Sequence, residues 1–162
     1  MNQTRRILVA VLILVLVGGA ILGLEALRRQ RVTPADLEPG SVPIYVDGKM
    51  EAAFTPKDLE GLEMVSFQDA EEGKTQEGWM LKDVLSVHLS NETLSPATNI
   101  TVISTSRDKS AELTWAEVQD EENRVMFDLS GRGTLKLVSK MEGLATRDEW
   151  VQDTDKIEVS SP

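Results

Sequence analysis

The sequence predicts a mixed α/β (α+β) domain behind one membrane-spanning helix, on three observations. An 18-residue uncharged run, Ile7 to Leu24, lies between Arg5–Arg6 and the group Arg28, Arg29 and Arg31. From Val42 onward, short β-branched or apolar segments recur as strand candidates. Two segments among them carry helical apolar spacing or a helix-start signature.

A hydrocarbon core about 30 Å thick takes roughly 20 helical residues to cross, and the run reaches that length by continuing past Glu25 to Leu27. Nothing in it supplies the polar face of a soluble amphipathic helix. Residues 1–31 are therefore expected to form an uncleaved anchor. A cleaved signal peptide is the competing reading, because Gly18 and Ala20 offer the small residues of a processing site. Against it, Ile21, Leu22 and Leu24 continue the apolar run. Arg5, Arg6 and the amino terminus nearly balance Arg28, Arg29 and Arg31 under the positive-inside rule, and the domain is expected outside the cytoplasm.

Residues 1–31 hold five Arg and one Glu, so the formal −10 of the whole chain becomes −14 for the rest, with 12 basic and 26 acidic residues. That excess argues against nucleic acid, which rewards Lys and Arg that displace counterions, and against adhesion to anionic lipid. The chain has no cysteine, which excludes disulfides, thiolate metal ligands and thiol nucleophiles.

Pro34, Pro39 and Gly40 mark residues 32–41 as a linker. The folded domain is expected over 42–159, one ordinary core without a staple, and 160–162 as a tail. Val42, Ile44 and Val46 alternate before Asp47-Gly48, a strong turn pair. Thr55-Pro56 starts a short helix. Further strands are expected over Glu63–Gln68, Asn99–Thr105, Arg124–Leu129, Thr134–Ser139 and Lys156–Ser160. A helix is expected over Met80–Leu89, where Leu81, Val84, Leu85, His88 and Leu89 share one face. Another starts at Thr114, with Glu117 completing a capping box.

Val46-Asp47-Gly48-Lys49, the Thr-Pro helix with Asp58-Leu59, Glu77-Gly78-Trp79-Met80-Leu81-Lys82-Asp83-Val84-Leu85, Ser104-Thr105-Ser106-Arg107-Asp108, Leu113-Thr114-Trp115-Ala116-Glu117, Gly133-Thr134-Leu135-Lys136-Leu137-Val138, Glu149-Trp150-Val151 and Ile157-Glu158-Val159 follow in order. In that order and spacing the chain resembles the molybdopterin-binding domain of the sulfite oxidase family, over most of its folded part. The resemblance implies that family's fold.

It does not carry over the family's chemistry. Family enzymes bind molybdenum through a cysteine in the loop after an early strand; the corresponding stretch here, Val65 to Gly73, has none. Gln or Asp cannot replace a soft thiolate in kind, and Asp69, Glu71 and Glu72 are expected to repel a pterin pyrophosphate. No molybdenum cofactor is therefore expected. Arg107 and Lys109, the one close basic pair after Arg31 to draw notice, are candidates to hold a single phosphate.

Other candidates have plainer readings. His88, the only histidine, lies on the apolar helix face and reads as a core or edge residue rather than a base. Asp120, Glu121 and Glu122 are consecutive, so their carboxylates diverge instead of converging on a hard cation. Met64, Met80, Met126 and Met141 read as gap fillers, and Trp79, Trp115 and Trp150 as core or rim packing. Ser104, Thr105, Ser106 and Ser110 have no base beside them, so no catalytic residue and no metal ligand can be named. The leading expectation is a membrane-anchored binding or interaction module, with an unidentified protein partner or small ligand. The alternatives are a molybdopterin-dependent oxidoreductase with a substitute metal ligand, or an accessory structural subunit of a membrane redox complex whose anchor packs through Gly19 and Gly23.

Overall fold

Asp47 and Gly48 both take left-handed φ, 48° and 81°, the geometry of a two-residue hairpin turn that Asp-Gly favours. They join β1 (Val42–Val46) to β2 (Lys49–Phe54). In the computed structural model the described residues are 37–162; the expected anchor, 1–31, and the first half of the linker, 32–36, lie outside them. No helix among the described residues is long and apolar enough to cross a membrane.

The architecture is mixed α/β, with two five-stranded sheets and few helices. A 3-10 helix, Pro56–Gly61, stands where the Thr-Pro start predicts a helix, and the Asp58 carboxylate accepts the Thr55 N–H and hydroxyl at 2.7 and 2.8 Å. Then come β3 (Met64–Gln68), β4 (Thr75–Met80), helix α1 (Leu81–His88), β5 (Asn99–Ser104), β6 (Lys109–Thr114), helix α2 (Trp115–Gln119), β7 (Met126–Leu129), β8 (Leu135–Val138), β9 (Val151–Thr154) and β10 (Lys156–Ser160). Helix α2 starts on the expected capping box: Thr114 Oγ accepts from the Glu117 N–H at 3.3 Å, and Glu117 Oε2 accepts from the Thr114 N–H at 2.7 Å.

The first sheet runs β2-β1-β10-β5-β6 and the second β3-β4-β7-β8-β9. Every pairing is antiparallel except β1 with β10, which sets Ile44 opposite Ile157 and joins the two ends of the domain. The inward residues of the first sheet, the apolar face of α1 and one face of the second sheet close a single core around Ile44, Leu85, Val102, Phe127, Leu137 and Ile157.

The second sheet is apolar on its other face too. Phe67, Met80, Met126, Val138 and Trp150 form a separate cluster there, so alternate residues of β4 and β7 serve different cores: Trp79 and Phe127 the main one, Met80 and Met126 the smaller. Trp79, Trp115 and Trp150 are all buried, in line with their reading as packing. Met80 and Met126 fill core positions as expected, whereas Met64 is half exposed, because it begins β3, the edge strand.

Candidate functional site

On that outer face of the second sheet, Lys136 of β8 and Asp128 of β7 are cross-strand partners. The Lys136 ammonium sits 3.2 Å from Asp128 Oδ2, donates to Gln76 Oε1 at 2.9 Å and lies 4.8 Å above the Trp150 ring. Gln76 in turn donates to Asp69 Oδ2 at 2.9 Å. Burial raises the Asp128 carboxyl, against the pull of Lys136. The Asp69 carboxyl is lowered, chiefly by the Glu72 main-chain N–H at 2.7 Å.

This polar row borders one recess, and a second adjoins it. The first, of about 280 Å³, is lined by Glu72, Lys74, Gln76, Lys136, Arg147, Trp150 and Gln152. The second, of about 220 Å³, shares Arg147, Trp150 and Gln152 and continues to Arg107, Lys109 and Asp148. Together they make one trough past Trp150. Both candidates from the sequence, Arg107 and Lys109, line its far end.

The two are not equivalent. Arg107 donates to Asp153 Oδ2 at 2.7 Å, so its charge is already compensated, whereas Lys109 donates to the main-chain carbonyl of Asp148. Sequence reasoning missed Arg147, Lys136 and Gln152. Arg147 is exposed and its main-chain N–H donates to Glu71 Oε2 at 3.1 Å. Its position depends on the loop ahead of β9 folding back beside the β3–β4 loop, and no local signal in the sequence announces that. Trp150 did stand out, as packing; its indole N–H, like that of Trp79, is buried without an acceptor.

The β3–β4 loop, where the resemblance would place the molybdenum ligand, forms one rim of this trough. Its carboxylates are engaged rather than free: Asp69 turns inward to Gln76 and the Glu72 N–H, Glu71 takes the Arg147 N–H, and Glu72 pairs with Lys74. Only Glu72 meets a cation, Lys74; Asp69 and Glu71 accept from neutral donors and keep their charge, so the loop still opposes an anion. It still offers carboxylates, an amide and an ammonium but no soft donor, so the donor set does not fit molybdenum.

The remaining candidates do not assemble into chemistry. His88 stacks on Phe54 with ring centroids 5.3 Å apart, and burial lowers its pKa. Glu121 pairs with Lys82 at 2.7 Å, while Asp120 caps the Glu122 N–H. Thr105 is held through its N–H and hydroxyl by Asp155. Among the described residues no group of three or more His, Cys, Asp or Glu converges as a metal site would. No family model matches this chain, and no curated protein matches it.

Proposed function

We propose that this protein is a single-pass membrane-anchored module of sulfite-oxidase-like fold. In this reading its domain stands outside the cytoplasm and holds a partner or small ligand at the membrane surface, without catalysis and without molybdenum. The observation that carries the reading is the trough past Trp150. It supplies recognition groups, namely cations, an amide and an aromatic floor, without a nucleophile and base in reach of one another. The anchor and the orientation rest on the run Ile7 to Leu24 and its flanking arginines; the fold family rests on the ordered motifs from Val46 to Val159.

A photo-crosslinking side chain placed at Arg147, compared with one at the exposed Glu112 of β6, tests the reading in native membranes. A discrete adduct from position 147 and none from 112 is the expected result. Equal labelling from both positions, or near-stoichiometric molybdenum in protein purified from a host that makes the pterin cofactor, would overturn it.

A further inference from the structure

Five of the 12 basic residues after Arg31 line the trough: Lys74, Arg107, Lys109, Lys136 and Arg147. Glu72 and Asp148 oppose them in its walls, and the Glu71 and Glu149 carboxylates act on Arg147 and Lys109 from beside it. The lining is thus positive in a domain that carries −14. Lys74, Arg107 and Lys136 have carboxylate partners in Glu72, Asp153 and Asp128. Lys109 and Arg147 have none within ion-pairing distance among the described residues, although acids outnumber bases two to one. Unpaired cations grouped in a concave site focus positive potential there.

The shape narrows the occupant. A single oxyanion occupies only part of one recess and leaves the other empty, whereas an extended chain reaches both, which share Arg147, Trp150 and Gln152. The side-chain amide of Gln152 makes no hydrogen bond among the described residues, and it can both donate to and accept from a main chain laid across it.

Resting on the binding-module reading, we propose that the trough docks an extended, carboxylate-rich segment of a partner protein. Its acidic side chains meet Lys136 and Arg147 on one side of Trp150, and Arg147 and Lys109 on the other. Such a segment feels two opposed fields. Near contacts with the trough attract it, while the rest of the domain repels it over a Debye length of about 30 Å at 0.01 M salt but only about 8 Å at 0.15 M. Affinity therefore rises as salt first screens the long-range repulsion and falls when higher salt weakens the contacts themselves.

The test is fluorescence anisotropy of labelled decaglutamate titrated with the full-length protein in phosphatidylcholine nanodiscs. Decaglutamate should bind with an affinity maximum near physiological salt, and decaglutamine should not. Arg147→Glu combined with Lys109→Glu should weaken binding roughly tenfold or more, the equivalent of about 1.4 kcal/mol, with an unchanged tryptophan emission spectrum. Arg147→Lys should retain most of it. Binding that is absent, shared by decaglutamine, indifferent to the double charge reversal, or displaced by an equal concentration of sulfate would overturn the proposal, the last by showing a small-anion site. A position-specific crosslink at 147 that survives such a failure would leave the binding-module reading standing and remove only the acidic segment.

Discussion

Arg107 Nε donates to Asp153 Oδ2 at 2.7 Å, so the guanidinium that the sequence offers to a phosphate is part of the scaffold. Asp153 also takes both contacts from Arg132 Nη2 at 2.9 Å and the Thr134 hydroxyl at 2.7 Å. The Thr134 hydroxyl and the Arg107 guanidinium hold its carboxyl below the ordinary carboxylate value. One side chain thereby ties the β5–β6 turn, the β7–β8 turn and β9 together. Half of the basic pair legible in the sequence is structural, and the cation left for a ligand at that end of the trough is Lys109.

Asp153 does this from a left-handed main chain, φ 56°, which Asp and Asn tolerate better than other side chains. Asp153→Ala loses the hydrogen bonds and pays the left-handed penalty, so it should destabilise the protein by about 2–4 kcal/mol. Asp153→Asn keeps the main-chain preference and an acceptor, and should cost about half as much. Urea unfolding of the full-length protein, followed by tryptophan emission, measures both. Equal costs would show that backbone conformation contributes nothing here.

Gly78 explains part of the Gly-Trp-Met-Leu motif in packing terms. A Cβ at this position would stand 1.8 Å from the Phe127 carbonyl oxygen and 2.7 Å from its carbon. These are main-chain atoms of the neighbouring strand β7, which cannot swing aside as a side chain can. Gly78→Ala should therefore push β4 from β7 and cost about 3 kcal/mol, the upper end of ordinary overpacking. A midpoint in urea close to that of the unmodified protein would show that the sheet absorbs the methyl group by a small shift.

Legibility followed local chemistry. β1, β3, β5, β8 and β10 carry β-branched or apolar alternation, and each lies at or within one residue of its expected bounds; β7 begins two residues later than expected, at Met126. The α1 face also matches, with Leu81, Val84 and Leu85 buried. The strands missed, β2, β4, β6 and β9, read Lys-Met-Glu-Ala-Ala-Phe, Thr-Gln-Glu-Gly-Trp-Met, Lys-Ser-Ala-Glu-Leu-Thr and Val-Gln-Asp-Thr. These are rich in residues with weak strand preference, and ladder pairing with neighbours makes them strands. The trough was legible only at Arg107 and Lys109, because Lys136, Arg147 and Gln152 reach it from strands and loops that meet through tertiary packing.

Acid should weaken the protein in two stages. Burial lowers His88 below its ordinary 6.5, so the folded state favours the neutral ring. Stability should then fall as pH drops from above 6.5 through the folded value, where only the unfolded chain gains the proton at first. Asp58, Asp69, Glu121, Glu149 and Asp153 are all lowered from 3.8 or 4.5. Their contribution is present above those ordinary values and is lost as pH falls through the folded ones. Asp128, raised by burial, acts in the opposite sense. Urea midpoints at pH 7, 5 and 3 should decline, and His88→Gln should flatten the 7-to-5 step while leaving the lower one. A step unchanged by that substitution would assign it to another group.

Trp150 is 6% exposed and packs with Phe67, Met80, Met126 and Val138 beneath the trough. Trp150→Ala empties that site and should cost about 3–5 kcal/mol, as for other large aromatic core truncations. Trp150→Phe keeps a ring under Lys136 and removes an indole N–H that has no acceptor. A buried donor left unpaired costs about 1–3 kcal/mol, which offsets the smaller ring's lost contacts. The Phe variant should therefore stay within about 1.5 kcal/mol of the unmodified protein. Chemical unfolding gives both values, read by the remaining tryptophans. A Phe variant as unstable as the Ala one would mean that the indole N–H finds a partner, such as a buried water, and that Trp150 holds the floor of the trough through that bond as well as through its bulk.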